Sequence, residues 1–435
     1  MMDHEKSILI IGGGIAGLSA GCYARMNGYR ANILEMHTLP GGLCTAWKRK
    51  GYTIDGCLHW LVGSAPGNAF HPIWKELGVV QGRSFFDFED YLRFETRGGK
   101  TITFHADPDR LEQELCSFAP EDSRQIKRFT RGVRSLTHLD LPVKTAPELM
   151  GAFEGVMAFL TFAPHIMQLV RWGRMTLEQF ASGLKNPDLR EAFMQTWLPQ
   201  SSMLFVVFTF AWLNRKVAGC PAGGSLEFAR AMERRFKALG GEIFYKTRAE
   251  RFAVIGGEVS GVMTGDGQEF YGDWYVSAAD AHNTIYGMLG EEFAGPALGE
   301  LFRQPLFPPL VQVAFGVAMD FRGLAPSASG TSIPLDPPIM VAGVAHDRIA
   351  VEVHNHDSTM APAGKTVVRT LILTDYDRWT KLLRGSPEYL AEKGRIAADV
   401  AAALDRRWPG FASSIEVTDV ATPHTYERYT GNWRA

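Results

Sequence analysis

Ile8-Leu9-Ile10-Ile11-Gly12-Gly13-Gly14-Ile15-Ala16-Gly17 is the stretch that decides the fold. Four apolar residues, the signature of a buried parallel strand, run straight into a G-x-G-x-x-G turn at Gly12, Gly14 and Gly17. Leu18, Cys22 and Met26 then recur every four residues, which predicts a helix. A second apolar run, Ala31 to Leu34, ends in Glu35. The pattern reads as strand, tight turn, helix, strand, acid, and each part suits a dinucleotide. Gly12 turns the chain, Gly14 lets the backbone approach a pyrophosphate, and Gly17 lets the helix close on the sheet. The helix N-terminus offers unpaired N–H groups and the positive end of its dipole to phosphates. Glu35 can accept both hydroxyls of an adenosine ribose, and its charge repels a 2′-phosphate.

Leu39-Pro40-Gly41-Gly42-Leu43-Cys44 follows the acid. Its paired glycines make a loop whose backbone can press against a bulky ligand. A nicotinamide dehydrogenase has no need of that loop, whereas FAD runs past it toward its ring. Next comes Gly51-Tyr52-Thr53-Ile54-Asp55-Gly56-Cys57-Leu58-His59-Trp60. In the Gly12/Gly14/Gly17/Glu35 fingerprint, in Gly41-Gly42 and in Asp55-Gly56 with His59, the chain resembles the phytoene desaturase family of FAD-dependent oxidoreductases. That family includes carotenoid desaturases, the carotenoid isomerase and the retinol saturases.

The resemblance implies an α/β fold: a Rossmann-like, glutathione-reductase-like FAD-binding domain with an inserted substrate domain of antiparallel sheet plus helices. The FAD-binding domain is expected at 1–80 and 217–300, the substrate domain at 81–216 and 301–421, and the start of a C-terminal FAD segment at 422–435. The cofactor contacts it implies are Gly12, Gly13, Gly14, Ile15, Ala16 and Gly17, then Glu35 and Met36, Gly41, Gly42 and Leu43, His59, Ala249, and Ala278 with Ala279. After Thr422-Pro423-His424-Thr425-Tyr426 and Gly431-Asn432-Trp433-Arg434 the family continues into another glycine-rich turn and helix over the flavin's pyrimidine edge. This sequence stops at Ala435, so a fragment, or a different cover for the ring, is expected.

Composition narrows the classes. The 435 residues are 46% hydrophobic and 21% charged, ordinary for a large globular chain. A net charge of −2 gives no electrostatic case for nucleic acid. The start, Met1 to Lys6, is polar and fits no signal peptide. The five cysteines, at 22, 44, 57, 116 and 220, form no C-x-x-C pair, which predicts neither a zinc site nor a disulfide framework and points to a reducing cytoplasm. Leu149 to Val170 and Met203 to Leu213 are the most apolar stretches; they read as core helix or cavity wall, or as a peripheral seat on the inner face of a membrane.

Further along, Arg93 to Phe104 reads as a hairpin about Gly98-Gly99, and 107–216 as largely helical. A helix from Leu226 stops at Gly240-Gly241, ahead of strands at 251–255, 258–264, 268–271 and 273–277. In the family the strand after Gly241 passes the adenine, with Ala249 reading the base through its backbone. Alternation predicts further strands at Leu310 to Met319, Ile339 to Ala345, Ile349 to His354 and Thr366 to Leu373, and Ser386-Pro387 starts a helix. His354 and His356, two apart, suggest a metal only weakly, with no third ligand to name, and no metal is expected. No second G-x-G-x-x-G appears, which argues against a separate NAD(P)H domain. Spacing names no catalytic side chain; His59 is the one to test. The function expected is FAD-dependent desaturation of an apolar isoprenoid or polyene lipid. The alternatives are a redox-neutral isomerase, a saturase using reduced FAD, or a non-catalytic flavin- or lipid-binding fragment.

Overall fold

A computed structural model describes residues 6–143 and 145–435; the polar start Met1–Glu5 lies outside the described residues. β1 (Ser7–Ile11), α1 (Ile15–Met26) and β2 (Arg30–Glu35) form the opening unit. β1 lies at the centre of a four-stranded parallel sheet, with β2 and then Glu242–Tyr245 on one side and Trp274–Ser277 on the other. Ile10 and Ile33 are opposite one another and fully buried. They pack with Leu18 and Cys22 of α1 and with Met232 and Phe236 of the helix Gly224–Ala238. Each such aliphatic side chain contributes about 1.5–3 kcal/mol by leaving water.

β3 (Ala46–Arg49) and β4 (Tyr52–Asp55) form a hairpin closed by Lys50 and Gly51, both at positive φ, the two-residue turn that matches strand twist. The meander after Gly241 is present, with strands Ala249–Ile255, Glu258–Thr264 and Glu269–Phe270.

A seven-stranded sheet forms the other large layer. Its order is Ile415–Ala421, Leu310–Val317, Thr366–Leu373, Val344–Val353, Thr331–Val341, Asp90–Glu95 and Thr101–His105. The pairing is antiparallel except between Thr331–Val341 and Asp90–Glu95. The long helix Pro387–Arg407 buries Ile396, Val400 and Leu404 in the core of this sheet. The expected strand at Ile339 to Ala345 is instead the bend of a hairpin. Ala342 and Gly343 both take positive φ, and Val341 pairs with Val344 across them. The apolar alternation continues through this turn, so periodicity alone could not reveal it.

Among the described residues, the stretch from Pro108 to Asn214 is largely helical, around a core that includes Phe129, Trp172, Phe193 and Phe210. The two most apolar stretches part company here. Met203–Asn214 is a core helix, with Met203, Val207, Phe210 and Ala211 fully buried. Ala152–Gly173 is long and apolar enough to cross a membrane and has none of its most apolar window buried.

Candidate functional site

The turn after β1 is built as its glycines require. Gly12, at φ +99°, takes a conformation that L side chains rarely adopt, and its N–H bonds the Leu34 carbonyl at 2.8 Å. A Cβ on Gly17 would stand 1.9 Å from the Gly12 carbonyl oxygen, so only glycine lets α1 sit this close to the strand. Gly14 differs: the nearest atom to its Cβ would be 3.9 Å away, and that side opens into a cavity. No side chain caps α1 and its first turn holds no acid, which leaves its N-terminal N–H groups available to an anion.

The cavity has a volume of about 700 Å³. Gly12, Gly14, Ile15 and Ala16 line it along the turn, Glu35 and Met36 at the end of β2, and Gly41, Gly42 and Leu43 on the following loop. Ala249 joins from the meander, and Ala278 and Ala279 from the segment after Trp274–Ser277. The two glycine loops touch directly, since the Gly41 N–H bonds the Gly13 carbonyl at 2.9 Å. Gly13 and Gly17 shape the cavity without lining it. Tyr429, Thr430, Gly431 and Asn432, inside the stretch 422–435 expected to begin a C-terminal FAD segment, close it from the far end of the chain. A second cavity of about 610 Å³ shares Glu35, Gly42, Leu43, Tyr429 and Thr430 with the first.

Glu35 is 6% exposed. Its Oε2 accepts the Gly13 N–H and its Oε1 the His37 N–H, each at 2.7 Å. An ionised carboxylate offers about four lone-pair directions, so two remain for ribose hydroxyls. The residues present therefore fit FAD: an acid with spare acceptors, an uncapped helix N-terminus, and a glycine whose Cβ direction is empty.

His59 is not part of this lining. Its Nε2 lies 2.9 Å from Glu352 Oε1 and 3.1 Å from Arg369 Nη2. Glu352 and Arg369 face each other across Val344–Val353 and Thr366–Leu373. Arg369 is buried and donates to Glu352 through Nε at 3.1 Å and to the Asp55 carbonyl through Nη1 at 2.8 Å. Asp55 in turn accepts the Ser225 hydroxyl at 2.7 Å and the Cys57 N–H at 2.9 Å. Burial pushes the Glu352 carboxyl up, but Arg369 and His59 outweigh it and hold the group well below the usual carboxylate range. Burial, reinforced by Arg369, holds His354 neutral, and burial lowers His356 as well. The two rings lie 5.8 Å apart beside this cation, and among the described residues no group of three or more His, Cys, Asp or Glu could hold a metal ion. The sequence reading missed Glu352 and Arg369. Their signal was a charge of opposite sign set among apolar or uncharged neighbours in each of two strands, Val351-Glu352-Val353 and Val368-Arg369-Thr370.

Residues 10–77 match the model of an NAD(P)-binding Rossmann-like domain. The chain is 25% identical to a chloroplastic prolycopene isomerase of Arabidopsis thaliana over 446 residues, covering 97% of this chain and 72% of that one. It is 26% identical to a lycopene-forming phytoene desaturase of Pseudescherichia vulneris over 342 residues, covering 74% of this chain and 65% of the relative. A putrescine oxidase structure, bound to putrescine, superposes with a TM-score of 0.59 at 13% identity over 98% of this chain and 87% of that one, which is a likeness of fold. The chain thus has the Rossmann-type fold of the FAD-dependent oxidoreductases, and its sequence is that of a relative of the prolycopene isomerases and phytoene desaturases.

Proposed function

We propose that this protein is an FAD-dependent oxidoreductase that desaturates an apolar isoprenoid or polyene lipid. The cavity beside Gly14 carries the proposal, since it joins an uncapped helix N-terminus to a buried acid with two free acceptor positions. Glu35 would hold the ribose, the first turn of α1 the pyrophosphate, and Gly41-Gly42 would lie against the rest of the cofactor. Bound FAD supplies the chemistry, taking a hydride from a C–H bond. The chain's own task is to exclude water and to orient one bond of an oily substrate, and no side-chain acid is demanded for a conjugated product.

The exposed helical run Ala152–Gly173 supports a lipid substrate. Phe153, Phe159, Leu160 and Met167 are each more than half exposed. Pro164 interrupts the run, and Arg171 and Arg174 stand at its end. Such a segment suits the boundary between headgroups and acyl chains, with the protein seated peripherally on a membrane.

A second reading, redox-neutral isomerisation, is favoured by one observation: the prolycopene isomerase match spans 97% of the chain and the desaturase match 74%. Anaerobic mixing with a polyene separates the two. Bleaching of the oxidised flavin supports desaturation, and turnover only after prior reduction supports isomerisation. An unchanged spectrum and no product with any polyene, before and after reduction, would reject both.

A further inference from the structure

Cys44 and Cys57 flank the β3–β4 hairpin symmetrically. The ladder pairs Ala46 with Asp55, and the Gly56 N–H bonds the Thr45 carbonyl at 2.9 Å. The paired ladder ends at Ala46 and Asp55, and Cys44 belongs to the turn before it, its N–H bonding the Gly41 carbonyl at 3.0 Å. Cys44 precedes Thr45 and Cys57 follows Gly56, so the two cysteines stand together at the open end of the hairpin, next to that bonded pair.

Both residues also line the 700 Å³ cavity. Both thiols are free. They are electrically unequal. Hydrogen bonding from Cys44 lowers the Cys57 thiol against the opposing effect of burial, and His59 and Arg369 add to the lowering. Cys44 is pushed up, first by that same contact and then by burial. Of the two thiols Cys57 is the more readily ionised, and the thiolate is the form that attacks toward a disulfide.

We propose that Cys44 and Cys57 are a redox-active pair that exchanges two electrons with the flavin held in the same cavity; this rests on the FAD reading above. As the Sγ–Sγ bond forms, the Cys44 and Cys57 thiols lose two electrons and two protons. Bound FAD would supply the acceptor for both electrons and one proton, and the other proton leaves to solvent. The reverse transfer reopens the disulfide. The pair gives the protein a second two-electron store next to its cofactor, in a chain whose sequence carries no second G-x-G-x-x-G motif.

Thiol counting on the purified holoprotein tests this. Of five cysteines, three should remain reactive to maleimide in denaturant after treatment with diamide and desalting, with a Cys44–Cys57 cross-link in the peptide map. Anaerobic illumination with EDTA, which reduces the flavin, should return the count to five. The oxidised protein should consume two equivalents of dithionite per chain, and Cys57→Ser or Cys44→Ser one. Five free thiols after diamide overturn the pair. Three after flavin reduction overturn the exchange while leaving bound FAD established. Protein that releases no FAD on heating overturns both the flavin reading and the exchange, even if the cross-link forms.

Discussion

The Glu35 carboxylate accepts the Gly13 N–H at 2.7 Å, so the acid at the end of β2 is fastened to the glycine turn it serves. The bond fixes both partners before any ligand arrives. In Glu35→Gln one N–H acceptor becomes an amide donor facing a donor. The variant should lose about 1–3 kcal/mol of stability and much of its FAD. Thermal unfolding and the flavin-to-protein absorbance ratio read the two effects separately.

Two alanine substitutions on the same turn should behave oppositely. Gly17→Ala drives a methyl into the Gly12 carbonyl, which its Cβ would approach to 1.9 Å, and should cost about 1–3 kcal/mol of stability. Gly14→Ala has 3.9 Å of clearance and should melt near wild type, yet its methyl enters the cavity and should weaken FAD retention. A Gly14→Ala protein with full flavin content would count against the cavity as the cofactor site.

Acid should destabilise the protein in two stages. His354 and His356 have folded values below 6.5, so the unfolded chain binds the extra protons and stability falls as pH drops below about 6.5. Glu352 has a folded value below 4.5, so its contribution is complete above that pH and is lost on further acidification through the folded value. Arg369→Met removes the partner from a buried carboxylate and should cost about 3–5 kcal/mol at neutral pH. Denaturant melts from neutral to acid pH, with and without His354→Gln, would show whether the first stage belongs to the histidines.

Much of this arrangement was legible because it is local. The β1–α1–β2 unit and Gly41-Gly42 lie within some three dozen residues, and their geometry is dictated by where a side chain cannot fit. Ala249 and Ala278 were placed through the family resemblance, which sets the strand after Gly241 and the turn after Ser277 beside the cofactor. The Glu352–Arg369 pair depends on strand register, which no single strand reveals. Tyr429 to Asn432 reach the cavity only through the complete fold. The apolar runs at 149–170 and 203–213 look alike as sequence, and only tertiary packing decided that the second is core and the first exposed.

The exposed run yields a prediction of its own. Replacing Phe153 and Phe159 with Ser should leave the melting temperature nearly unchanged, since the rings are 77% and 65% exposed. The same change should lower co-sedimentation with phospholipid vesicles severalfold. Equal vesicle binding by the variant would remove this segment as the membrane contact.

The most direct measurement is of the cofactor itself. Protein purified without added flavin, heated and centrifuged, should release one FAD per chain, identified by absorbance and mass. Reconstituted Gly14→Glu protein should release none. Release of a nicotinamide dinucleotide, or FAD bound equally by Gly14→Glu, would contradict the assignment of this cavity.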